Sequence, residues 1–406
     1  MRKWGVIFFA VLFTGIIAII QCGASTLDSS WSSPRHDNQN TGLSESKVPL
    51  TNQTAWISYG VTSITPIVAD GKVYCTGGKF VNLTVLDQKD GAILWTKLLG
   101  SFSIPTVVSG VVYVGTLGGE IWAIDGDAGN IIWKYSIYGY GEPLDTPQVE
   151  DGRVFFNNRD GWLFCINATN ADFIWKYETR LAEVAHLAVA DGRVFTMDSA
   201  LNSTDGTLLW EYGEKPVGIH WTYHTPTVDN GRVFLSIGPS LQAVDELNGS
   251  LIWKFDTIQD ASDVAVVYGK VFVSDGGYLY CLNEENGEFI WKYRAEFSWL
   301  SGVPSVADGK VLVPAYDRLL CVNADNGTLL WTYSTINSRS LPAVAEGKVL
   351  FSVPEGIVAI GNRISTAEPT NNLGLIVALV FVTIAVATIF FMILKRPKKT
   401  NSYSRG

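Results

Sequence analysis

At 406 residues the chain has length for two or three ordinary domains, but an internal period overrides that prior. With 39 glycines, 12% aromatic and only 17% charged residues, the composition suits short strands and tight turns and argues against helical bundles. The net charge of −9, with no basic patch in the repeats, argues against a nucleic-acid partner.

In chain order, residues 1–24 carry Arg2 and Lys3, an apolar run from Trp4 to about Ile20, and small residues before Ser25. That is the layout of a secretory signal peptide. Cys22 follows Gln21, where a lipobox takes a small residue, so lipidation is not the expected processing. The phrase WSSPRHDNQNTGLS follows over Trp31–Ser44, and TAWISYG over Thr54–Gly60 reads as an isolated strand with one tryptophan.

From there one unit repeats. It has a short strand with a proline phrase (ITPIVAD, SIPTVVS, DTPQVED, HTPTVDN, GVPSVAD, SLPAVAE), then a glycine and an alternating apolar strand. A third strand follows (EIWAIDG, WLFCINA, YLYCLNE), then a turn and a tryptophan strand such as NGTLLWTYS. The glycines are Gly71, Gly110, Gly152, Gly192, Gly231, Gly269, Gly309 and Gly347. The tryptophans are Trp95, Trp133, Trp175, Trp210, Trp253, Trp291 and Trp331, spaced 38, 42, 35, 43, 38 and 40 residues apart. Four strands per 40 residues, rich in Val, Ile, Tyr and Trp and bounded by Gly, Asp or Asn, make one propeller blade per repeat. The eighth unit stops before its fourth strand, so Trp56 is expected to supply it and close the ring, leaving no free edge. The fourth unit is short between Val194 and Trp210, which predicts a trimmed middle hairpin. One bulky aromatic per blade reads as packing, assigned to Trp56, Trp95, Trp133, Trp175, Trp210, Trp253, Trp291 and Trp331.

Cys165, Cys281 and Cys321 share one repeat position with Ala123, Ala243 and Ala359, which reads as a small buried site holding free thiols. DGDAGN, Asp125–Asn130, resembles the start of a calcium loop, but Ser136 stands where the closing glutamate belongs, so it reads as a hairpin turn and no metal site is expected. N-x-[ST] sequons occur at Asn52, Asn82, Asn167, Asn202, Asn248 and Asn326 and are glycosylation candidates, although Asn248 and Asn326 also write an Asn-Gly turn. GIHWTYHTP, Gly218–Pro226, lies between one blade's outer strand and the next blade's inner strand. Such connections reach the mouth of the central channel, which makes His220, Trp221, Tyr223 and His224, with Tyr140, Glu142, His186, Trp299 and Arg339, candidates to line a ligand pocket. Loop packing is the alternative. No catalytic triad, phosphate loop or paired carboxylates stand out, so no catalytic residue is assigned.

After a polar linker at 365–372, residues 373–394 form an uncharged run long enough to span a bilayer as a helix. The basic tail at 395–406, opening KRPKK, is expected on the cytoplasmic side.

The in-register GxLLWxY and DGxVY phrases, with WSSPRHDNQNTGLS, resemble the PQQ-like β-propeller repeat family over about residues 31–362. That family includes quinoprotein alcohol dehydrogenases and the lipoprotein of the outer-membrane β-barrel assembly machinery. The resemblance implies an all-β, eight-bladed propeller of four-stranded antiparallel blades, assigned to 25–364 and followed by the C-terminal transmembrane helix. It leaves two functions open. One is a single-pass cell-membrane protein whose extracellular propeller binds an envelope or cell-surface protein, a peptide or a glycan, with no cofactor expected. The other is a membrane-anchored quinoprotein oxidising alcohols or sugars with pyrroloquinoline quinone and calcium; against it, the sequence has no adjacent cysteine pair and no haem attachment motif.

Overall fold

The computed structural model describes residues 30–63, 65–78, 81–100, 103–116, 118–137, 146–158, 160–179, 187–213, 224–296, 299–300, 302–335 and 340–361. The signal peptide, linker, transmembrane helix and basic tail fall outside them. Among the described residues no helix is long and apolar enough to cross a membrane.

The described residues form eight antiparallel sheets of four strands, with a short fifth strand added to one of them. Within a blade the strands follow one another from the hub outward, here named a to d. Blade 5 is typical, with a at Thr227–Asp229, b at Arg232–Ser236, c at Ser240–Asp245 and d at Leu251–Asp256. Its a–b hairpin turns on Asn230 and Gly231, at φ 46° and 73°. Two successive residues in the left-handed region make the turn whose twist matches the flanking strands, which is why Asx-Gly recurs there. Blade 4 is the trimmed one: its b, c and d strands cover only Arg193–Phe195, Ser199–Asn202 and Leu208–Glu211. The ring closes where Thr54–Tyr59 pairs antiparallel with Gly356–Ile360 and becomes strand d of blade 8.

Register explains the composition of each blade. One row runs Thr227, Phe234, Ala243, Trp253 in blade 5 and Ala265, Phe272, Cys281, Trp291 in blade 6. The c-strand residue is small because the flanking rings meet above it, with centroids 5.9 Å apart in both blades. Alanine and cysteine satisfy that need equally well. Cys75, Cys165, Cys281 and Cys321 are free and buried, and burial pushes the thiols of the last three up to about 12.

Each tryptophan also locks its blade to the next. The indole N–H of Trp253 donates to the carbonyl of Glu284 at 2.9 Å, that of Trp210 to Glu246 at 2.8 Å, and that of Trp56 to Gln88 at 3.1 Å. The ring lies flat on the following blade's c–d turn, where a Cβ on Gly249 would come within 2.7 Å of Trp210. A glycine is required there by both contact and φ of 72°. Blade 3 departs from the rule: Ala171 holds this place at φ 62°, beneath a partly exposed Trp133. Trp331 has no following c–d turn, because strand d of blade 8 comes from the other end of the chain. Its indole donates instead to Pro49 at 3.1 Å.

Candidate functional site

The inner strands are only three residues long, and their free edges, which face the channel, need partners. Residues 31–44 provide them. The middle-residue N–H of six inner strands donates to this segment's carbonyls: Val68 to Trp31, Val107 to Ser32, Val189 to Asn38, Val228 to Gln39, Val266 to Thr41 and Val306 to Gly42, at 2.8–3.0 Å. The other two strands are reached by side chains, Asn38 donating to the carbonyl of Val149 and Ser44 to that of Val344. Asn40 joins blades 4 and 5 by donating to the carbonyls of Leu187 and Pro226. Leu43–Ser44 pairs in parallel with Ser305–Ala307 as the fifth strand of blade 7. The segment is thus a hub, touching the inner strand of every blade.

Within the hub Asp37 caps its own loop, accepting the backbone N–H and the hydroxyl of Thr41. Arg35 is only 4% exposed, and its guanidinium makes no hydrogen bond to the described protein; its nearest charge is Asp263, at 3.7 Å. Burial lowers the Arg35 pKa, opposed by Asp263 and Asp37. Asp263 precedes the inner strand of blade 6. It accepts the Nδ1–H of His224 at 2.9 Å and the backbone N–H of Thr225 at 2.9 Å. Burial alone would raise its pKa, but the His224 hydrogen bond and charge, Arg35 and the Thr225 amide hold it at about 2.

Above this cluster a cavity of about 530 Å³ opens among the connections of blades 5, 6 and 7. Of the nine mouth candidates, His224 and Trp299 line it together. Tyr140, Glu142, His186, His220, Trp221, Tyr223 and Arg339 lie outside the described residues. The indole of Trp299 rests on the backbone of Gly276, where a Cβ would come within 2.5 Å of the ring, yet the residue is 55% exposed. Asp260, Asp263 and Asp275 supply the acidic part of its lining, beside Gln259, Ser262 and Ser274. Asp275 is buried and accepts from the amides of Ile258, Gly277 and Tyr278 and from the Tyr280 hydroxyl.

Sequence patterns did not single out Arg35, Asn40, Asp260, Asp263 or Asp275. A signal for Asp263 exists: six units write a proline phrase before the inner strand, and SDVAVV in unit six breaks it at Asp263-Val264. The asparagine-rich stretch 38–40 carries no periodic signal, because its partners lie up to 186 residues away.

The sequon residues divide by position. Asn248 and Asn326 are exposed in c–d turns, where their side-chain oxygens accept the N–H of Ser250 and Thr328. Asn167 and Asn202 end c strands and are half-buried, as is Asn82. Asn52 is exposed and donates to the carbonyl of Thr332.

The family model described as outer membrane protein assembly factor BamB matches residues 53–140, 79–236 and 238–368. A curated relative, outer membrane protein assembly factor BamB of Yersinia pestis, is 38% identical over 73 residues, and the match spans 18% of each chain. Among solved structures, BamB from Moraxella catarrhalis aligns with TM-score 0.57 at 15% identity, covering 73% of this chain and 95% of that one. The quinohemoprotein alcohol dehydrogenase ADHIIG from Pseudomonas putida HK5 aligns at 0.67 and 14%, covering 81% and 76%. A europium-containing methanol dehydrogenase aligns at 0.67 and 12%, covering 82% and 90%. At such identities the solved structures speak for fold alone.

Proposed function

We propose that this chain, which belongs to the family described as outer membrane protein assembly factor BamB, is a binding scaffold whose ring presents the mouth between blades 5 and 7 to a partner. The observation that carries the reading is the hub: the chain's own residues 31–44 reach the inner strand of all eight blades, and among the described residues a concave rim cavity with its exposed Trp299 stays open to a ligand. The partner is an envelope or cell-surface protein, a peptide or a glycan. In the same proposal the propeller, 25–364, lies outside the cell after removal of residues 1–24. A helix at 373–394 holds it in the membrane, and Asn52, Asn82, Asn167, Asn202, Asn248 and Asn326 are its glycan acceptors.

The competing reading is a quinoprotein dehydrogenase using pyrroloquinoline quinone and calcium. The residues in hand do not fit that group: the four described cysteines are single, and no set of three or more His, Cys, Asp or Glu among the described residues could hold a metal ion.

The test places a photocrosslinking residue at Gln259, on the cavity rim, in the full-length protein in its own membranes. The scaffold reading expects one discrete adduct, lost in a Trp299→Ala background and absent when the crosslinker sits at exposed Leu94 on an outer strand. No adduct, together with calcium-dependent quinone binding and dye-linked oxidation of alcohols or sugars, would replace it with the enzyme reading.

A further inference from the structure

We infer that the mouth cavity receives a cationic group, the ammonium or guanidinium of a lysine or arginine side chain on an extended partner segment. The inference rests on the scaffold reading and names the chemistry of its partner.

Three observations converge. The first is size: about 530 Å³ holds one long side chain and a few flanking atoms, but not a folded element. The second is charge. Three carboxylates line the cavity, and among the described residues its lining has no lysine or arginine and His224 is its one basic side chain. Asp263 is already answered, by His224 on the cavity side and by Arg35 on the hub side. Asp275 takes four neutral donors, and none of the described ion pairs includes it. Asp260 is exposed and has no hydrogen bond or ion pair among the described residues. A cation entering here meets negative charge that the fold has left uncompensated.

The third is the indole. Elsewhere in this molecule exposed aromatic faces on the c strands are covered by a cation from the neighbouring strand: Lys134 lies 3.9 Å from the ring centre of Trp122, Lys176 4.3 Å from Trp162, and Lys292 4.5 Å from Tyr278. Trp299 is more than half exposed and has no such cation among the described residues. Its ring is pinned against Gly276, so it meets a ligand with little ordering cost. A rigid indole beside unanswered carboxylates is the arrangement that holds an ammonium or guanidinium.

The experiment titrates the full-length protein, by calorimetry at low salt, with acetyl-Ala-Arg-Ala-amide and acetyl-Ala-Lys-Ala-amide. Controls are the citrulline and norleucine counterparts, free arginine, and a methyl glycoside. Saturable binding of the two cationic peptides is expected, with the neutral counterparts at least about tenfold weaker. Trp299→Ala and Asp260→Asn should each weaken binding by about fivefold or more, the loss of one exposed cation–π or ion-pair contact. Trp299→Phe should restore part of it, which separates a lost aromatic face from a damaged fold. Free arginine binding as well as the tripeptide would move the source from a peptide to a small amine and overturn the partner assignment. Citrulline binding as tightly as arginine, or a glycoside binding better than either, would overturn the cationic chemistry. If no probe binds while the Gln259 adduct persists, this inference falls and the scaffold reading stands. If the adduct is also missing, both fall.

Discussion

The c–d turns and the d–a connections, at opposite ends of every blade, are built by opposite rules. On the turn side one device recurs around the ring: an indole stacks on the next blade's turn and donates to its carbonyl, from Trp56 and Gln88 through Trp291 and Ala324. On the connection side the described residues differ from blade to blade. His224 precedes blade 5, Asp263 precedes blade 6, and Trp299 precedes blade 7. Uniformity builds the ring, and departure from it builds the cavity. Substitutions on the two sides should therefore differ in kind, those at turns acting on stability and those at connections on binding.

The largest effect is expected from Trp253→Ala, which removes a buried indole, its bond to Glu284 and its contact with Phe234. Denaturant titration should show a loss of about 3–5 kcal/mol. Gly249→Ala should cost about 1–3 kcal/mol, because the new methyl overlaps the Trp210 ring; an unchanged midpoint would mean that the indole docking is loose. The Asp263 cluster contributes a pH limb. With its folded pKa near 2 and an ordinary value near 4, the stability it supplies is complete above about pH 4 and is lost as pH falls towards 2. Asp263→Asn should flatten that limb in acid unfolding curves. Ala171→Gly runs the other way: it relieves a positive φ under Trp133 and should stabilise by about 0.5–1 kcal/mol, the reverse of Gly249→Ala. The smallest effect is expected from Trp299→Ala, within about 0.5 kcal/mol in the same titration, since the side chain is mostly in solvent. A large loss there would mean that the connection side carries the ring as well, and the comparison would break.

The repeat was legible because each blade solves the same local problem. Asx-Gly turns, the small c-strand residue and the docked tryptophan follow from register and twist, and they place Trp56 in blade 8 from counting alone. The shortened hairpin of blade 4 could be read in the same way, and it closes by a tight loop in which Thr196 and Ser199 exchange backbone and hydroxyl bonds. The hub was not legible. Asn38 and Asn40 look like an ordinary polar loop, and only the closed ring brings the carbonyls of Val149, Leu187 and Pro226 within their reach. Of the cavity, only His224 and Trp299 were visible, as a histidine and an aromatic residue in connections. The acids were missed because a lone aspartate beside a strand usually writes a turn, and in this chain most do.

Strand Thr54–Tyr59 has its partner about 300 residues downstream, and the hub segment before it needs all eight inner strands. At a synthesis rate of about 5–20 residues per second, the strand waits on the order of 15–60 s for its partner, while the hub carbonyls are met one after another from Val68 onward. An early strand is among the last to dock. Throughout that interval the nascent chain carries an unpaired, tryptophan-bearing strand and a dwindling row of unmet carbonyls, so the seam between first and last blade is where assembly of the ring is open to capture by another chain.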